Sequence, residues 1–109
     1  MEELNQVDLS IITQTRYRIL EVLSNNPELK VTMIRDALRN IFNERIESNS
    51  VHYHLDVLYV HGFVDKEQKQ ETTVSKKKRH NLVYYFSITD KGTKVVESLR
   101  NIYQIKISE

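Results

Sequence analysis

Apolar residues recur at three- and four-residue spacing along most of the chain, and cap or turn residues mark the breaks between the periodic runs. Leu9, Ile12, Arg16, Ile19, Leu20 and Leu23 share one face, which predicts a first helix over 9–24 with Asp8 as its cap. "SNNP" (24–27) stops it, because Pro27 disfavours helical backbone at Asn26. "LKV" (29–31) reads as a short extended piece. Thr32 then caps a second helix, over 32–43, whose apolar face is Ile34, Ala37, Leu38, Ile41 and Phe42. "NERIE" (43–47) is a turn with Ile46 as its inward anchor. Ser48 caps a third helix, over 48–61, and Gly62 closes it where a positive φ is cheap.

The periodicity changes after Gly62. In "LVYYFSIT", Tyr84, Phe86 and Ile88 alternate with Val83, Tyr85 and Ser87, which is strand spacing. With "FVDKEQKQET" it predicts a hairpin over 63–88, and the polar stretch "TVSKKKRHN" is its tip. Tyr84 and Phe86 share the face of Ile88 and are expected to cover the core; a base-stacking platform for single strands is the competing use of these aromatics. Thr89 caps a last helix, over 90–105, with Asp90 in its first turn. The order helix, strand, helix, helix, hairpin, helix describes a single α+β domain, mainly α, over 1–109.

Composition narrows the function classes. The 109 residues are 39% hydrophobic and 28% charged, as in ordinary globular chains, and no apolar run nears the roughly 18 residues of a membrane span. The polar, acidic start is not a secretory signal, so a cytoplasmic address is expected, and no membrane partner. The absence of cysteine removes disulfides, thiol nucleophiles and cysteine-bound zinc. Net charge is only +1, but its distribution is uneven, with "KKKR" at 76–79 followed by His80.

The third helix is rich in histidine, which raises metal binding and catalysis. At about 100° per residue, His52 and His54 are roughly 200° apart and cannot share an ion. His54 and His61 share a side but lie about 10 Å apart along the axis. No metal site and no cofactor is expected, and His54 is read as a satisfied histidine at the core margin. No phosphate loop, nucleophile elbow or convergent polar set is present, so no catalytic residue and no enzyme is expected.

What the helix does have is one dry side and one polar, aromatic side. Val51, Leu55 and Leu58 face the core; Asn49, Tyr53 and Asp56 lie opposite, with His52 at the edge. A helix fits the major groove of B-DNA, and its N-terminal side chains reach base edges. Asn can pair bidentately with adenine, and Ser, His and Tyr can bond bases or phosphates.

"TRYRILEVLSNNPELKVTMIRDAL", "SNSVHYHLDVLYVHGFVDK" and "VYYFSITDKG" together resemble the winged helix-turn-helix transcription regulators of the ArsR, MarR and PadR kind, which include small archaeal and viral members. The resemblance covers residues 13 to 95. Its most specific piece is "VHYHLDVLYVHGFV", close to the pattern V-x-x-H-L-x-x-L-x-x-x-G-h-V, with h apolar. It implies that the third helix is a recognition helix and the hairpin a wing. On matching positions the groove residues are Ser48, Asn49, Ser50, His52 and Tyr53. The wing residues are Lys66, Lys69, Lys76, Lys77, Lys78, Arg79 and His80. The His and Asp pairs with which some ArsR-type members sense metals are missing from "DKGTKVVESLRNIYQIK". An effector ligand is not legible.

The two ends of the chain carry more apolar surface than a small core covers. Leu4, Val7 and Ile11 at one end, and Val95, Leu99, Ile102 and Tyr103 at the other, predict a homodimer interface. A two-fold dimer would set the recognition helices about 34 Å apart, matching half-sites one helical turn apart. The sequence therefore predicts a dimeric regulator, a repressor, binding a palindromic site in double-stranded DNA. The alternative is a winged-helix protein–protein interaction module without specific DNA binding.

Overall fold

A computed structural model describes residues 9–72 and 80–108. Among these, the side chains of 72, 80, 81 and 103–108 are not described. Four helices and one antiparallel hairpin make up the described fold: α1 (Gln14–Ser24), α2 (Val31–Phe42), α3 (Ser48–Val60), β1 (Val64–Thr72), β2 (His80–Ile88) and α4 (Asp90–Ser108). It is the predicted α+β, mainly helical, architecture.

The first helix starts later than its periodicity suggests. Leu9–Ile11 form a single 3-10 turn, and α1 begins at Gln14. The cap is Thr13, not Asp8: Thr13 stays extended and its hydroxyl accepts from the Arg16 N–H at 3.2 Å. The other end is closed by amides, with the Asn25 and Asn26 side chains donating to the carbonyls of Glu21 and Val22 at 3.0 and 2.7 Å. Tyr17, absent from the predicted stripe, is fully buried.

The caps of α2 and α3 both fall earlier than predicted, by two residues and by one. Lys30, rather than Thr32, holds the extended cap position of α2, and Glu47, rather than Ser48, that of α3; neither caps with its side chain. Asn43 ends α2 in the left-handed conformation, φ 55°. Ile41 is 65% exposed on the outer side of α2, while Phe42 packs against the core. Gly62, at φ 82°, turns the chain out of α3, and the Phe63 N–H bonds back to the Leu58 carbonyl at 2.9 Å.

The hairpin pairs Val64 with Ile88 at its root and Thr72 with His80 at its outer end. Leu29 adds a one-residue bridge on the other side of β2, exchanging both backbone bonds with Phe86 at 2.9 and 2.8 Å. Two ties fix the hairpin to that segment, the Lys69–Glu28 pair and the Lys30–Glu71 pair at 3.4 Å, while the bond from the Tyr85 hydroxyl to Glu71 joins the two strands to each other. Phe86 is wholly buried, but Tyr84 is 39% exposed, because the strands run past the helices before reaching it. Tyr84 therefore covers less of the core than strand alternation predicts.

The core gathers one face from every element: Tyr17, Ile19, Leu20 and Leu23 of α1, Ile34 and Leu38 of α2, Val51, Leu55 and Leu58 of α3, Phe63 and Val64, Phe86, and Val95 and Val96 of α4. Thr89 caps α4 as predicted, accepting from the Gly92 N–H at 3.0 Å. No helix among the described residues is long and apolar enough to cross a membrane.

Candidate nucleic-acid interface

α3 turns Val51, Leu55 and Leu58 into the core and the side chains between them outward. Asn49, Ser50, His52 and Tyr53 are all exposed, Tyr53 by 60%. Four of the five predicted groove residues thus sit together on the open face of the first two turns. Ser48 does not join them. It is half-buried, and its hydroxyl accepts from Arg35 of α2 at 3.0 Å, because the helix starts at Ser48 and aims it toward α2.

Two contacts steady this face. His52 Nδ1 lies 3.3 Å from an Asp56 carboxylate oxygen one turn on, so the acid that lies among the groove residues has a local partner. On the other flank Arg16 reaches from α1. Its Nε–H donates to His54 Nδ1 at 2.9 Å, its Nη1 donates to the Ile11 carbonyl at 2.7 Å, and its guanidinium lies 5.7 Å from the Tyr53 ring centroid. Burial, and then the charge of Arg16, hold the His54 pKa below its ordinary value. His54 is the satisfied marginal histidine that the sequence suggests. Among the described residues, no three of His, Asp and Glu come together as a metal site would require.

The hairpin stands beside the same helix. Lys66 on β1 lies over two rings, 4.6 Å from the Tyr59 centroid on α3 and 5.0 Å from that of Tyr84 on β2. Below it, Lys30, Thr32, His52, Leu82 and Tyr84 line an open cleft of about 380 Å³ between the start of α2, α3 and the wing. Lys69 is diverted. Its ammonium pairs with Glu28 and sits 5.0 Å from the Tyr85 ring, so it belongs to the attachment of the hairpin. Lys76, Lys77, Lys78 and Arg79 lie outside the described residues, as does the side chain of His80.

The residues predicted for a dimer interface divide. Val95 is wholly buried within its own chain and is not available to a partner; α1 and β2 already cover that turn of α4. Ile11 and Leu99 are partly buried against the same core. Ile102 is 52% exposed on the outer half of α4. Leu4 and Val7 lie outside the described residues, and the side chain of Tyr103 is not described.

Two features of the surface escape the sequence reading. One is the aromatic seat of Lys66, for which Tyr59 gave no signal beyond its place one helix turn before Phe63. The other is a group of arginines, Arg35, Arg39 and Arg45, at the N-terminal end of α3. Arg35 and Arg39 are four apart in "RDALRNIFNER", a spacing that puts them on one side of α2.

No protein-family model matches the chain, and no curated protein matches its sequence. Solved structures do match in shape. RosR of H. salinarum superposes with a TM-score of 0.67 at 20% identity, over 91% of this chain and 80% of that one. PadR of Bacillus subtilis, in complex with operator DNA, gives 0.60 at 18% identity, over 76% of this chain and 44% of that one. F93 of STIV, a winged-helix DNA-binding protein, gives 0.57 at 21% identity, over 81% of this chain and 85% of that one. The arrangement of α1 to α4 around the β1–β2 hairpin is the winged-helix fold.

Proposed function

We propose that this chain binds double-stranded DNA sequence-specifically and acts as a transcriptional regulator in the cytoplasm. The observation that carries the reading is the outward face of α3, where Asn49, Ser50, His52 and Tyr53 are exposed beside the hairpin. A helix is the element that fits the major groove, and these side chains are donors and acceptors suited to base edges and phosphates. Operator DNA bound to PadR, and DNA binding by F93, on the same fold support it.

The proposal includes a wing contact by Lys66, Lys76, Lys77, Lys78, Arg79 and His80, a homodimer joined through the outer part of α4, and repression at a palindromic site. The exposed Ile102 supports the α4 contact, since a lone apolar side chain on an extended helix is covered at low cost by a symmetric partner. Each wing cation that neutralises a phosphate should steepen the fall of log affinity with log salt by about 0.9.

Selection of binding sites from random duplex DNA, beside a measurement of solution mass, tests this. An inverted repeat should be enriched, bound in the nanomolar to micromolar range, by a species of twice the 13.0 kDa chain mass. Replacing residues 76–79 with Ala should flatten the salt dependence. A selection that enriches nothing, with binding indifferent to salt, would favour the protein–protein interaction module.

A further inference from the structure

We infer that Arg35, Arg39 and Arg45 form a second phosphate-binding site for duplex DNA, at the opposite end of α3 from Lys66. The inference rests on the proposed DNA binding and extends it to residues outside the helix face and the wing. The three arginines line one open cleft, of about 320 Å³, together with Ile46. The carboxylate bonded to them among the described residues is that of Asp36. One of its oxygens accepts from Arg35 Nε and Nη2 at 3.2 and 3.1 Å and from Arg39 Nη2 at 3.5 Å. Arg45 has no such partner among the described residues. Three guanidinium groups thus share one bonded carboxylate; of the two acids in the adjoining turn, Glu44 is paired with Arg18, and Glu47 is exposed. Planar guanidinium forks match the oxygens of a phosphate, so a diester anion is the group this cleft fits.

Its position says which phosphate. Arg35 Nη1 holds the hydroxyl of Ser48, the first residue of α3, at 3.0 Å. Lys66 lies 4.6 Å from the ring of Tyr59, near the last turn of the same helix. Ser48 and Tyr59 are separated by about 16 Å along the axis, at 1.5 Å per residue. A major groove is about 12 Å wide and walled by two phosphate strands. Cations at both ends of α3 can therefore engage both walls and fix the helix between them. The arginine site sits on α2 and the short turn behind it, both packed on the core, so it is held ready for the backbone.

The test compares the wild type with Arg39→Gln/Arg45→Gln, leaving Arg35 in place because it anchors Ser48. Each is titrated with a fluorescent duplex of about 30 base pairs, three helical turns, between about 50 and 200 mM salt. The double variant should melt like the wild type. It should bind roughly ten-fold or more weakly, with a log–log salt slope shallower by about 1.8, the equivalent of two phosphates. Arg39→Lys/Arg45→Lys, which keeps the charge, should restore most of the slope. A wild type that binds with a steep slope, beside a Gln variant with the same slope and affinity, would overturn the arginine site and leave DNA binding standing. A wild type that does not bind duplex at all would overturn both.

Discussion

Arg16 of α1 donates its Nε–H to Nδ1 of His54 on α3 at 2.9 Å, so the candidate recognition helix is tied to the body of the fold by a bond that needs a neutral imidazole. The acceptor role of Nδ1 assigns the ring proton to Nε2. Protonation at Nδ1 would remove the bond and set two cations side by side.

The consequence is a stability that depends on pH. Burial, and next the charge of Arg16, lower the His54 pKa from the ordinary 6.5. The unfolded chain therefore takes up this proton before the folded chain does. Above 6.5 the group contributes nothing to the pH dependence, and as pH falls below 6.5 the folded state loses stability. Urea unfolding between about pH 7 and 5 should show the midpoint falling in the wild type and falling less in His54→Gln. Equal slopes in the two proteins would remove His54 from the effect.

Tyr17 should behave in the opposite range. It is fully buried and its hydroxyl donates to Glu21 at 2.6 Å. Burial, and then the bond and negative charge of Glu21, push its pKa from 10.0 up to about 12. Among the six tyrosines, Tyr17 should resist ionisation in a spectroscopic alkaline titration until about 12, and Tyr17→Phe should shrink the late signal to the part due to Tyr85, whose bond to Glu71 also raises its pKa. Because the unfolded chain gives up this proton first, stability should decline once the pH passes 10.0.

Gly92 sets how closely α4 approaches the wing root. A Cβ there would meet the Phe63 carbonyl oxygen at 2.2 Å and Ile88 at 2.8 Å. Backbone cannot yield as a flexible side chain can, so Gly92→Ala should destabilise the fold by about 1–3 kcal/mol in urea unfolding. A change below a few tenths would mean that α4 can shift without cost.

The sequence made α3 legible because two independent signals agreed there. Val51, Leu55 and Leu58 fix the buried face, and Gly62 fixes the end; together they leave Asn49 and Tyr53 no direction but outward. The start of α1 was not legible. Leu9 and Ile12 keep the helical spacing with Ile19 across the break at Thr13, since a 3-10 turn and an α-helix place apolar residues almost alike. Strand alternation gave Tyr84 its face, but not how far the helices extend beneath it. A stripe on α4 marks Val95 as apolar, yet only packing tells whether its own chain covers it. Ser48 and the arginines depend on how α2 meets α3, and a one-residue shift of the cap, from Ser48 to Glu47, decides which way Ser48 points.

In the proposed complex the open side of α3 lies against duplex DNA. Backbone amide shifts of the isotope-labelled chain, followed as a selected duplex is added, report it directly. The largest changes should fall at Asn49, Ser50, His52 and Tyr53, and Asn49→Ala should weaken binding by about 1–3 kcal/mol while leaving the melting temperature unchanged. Changes centred on α1 or the outer half of α4, with residues 49–53 silent, would contradict it.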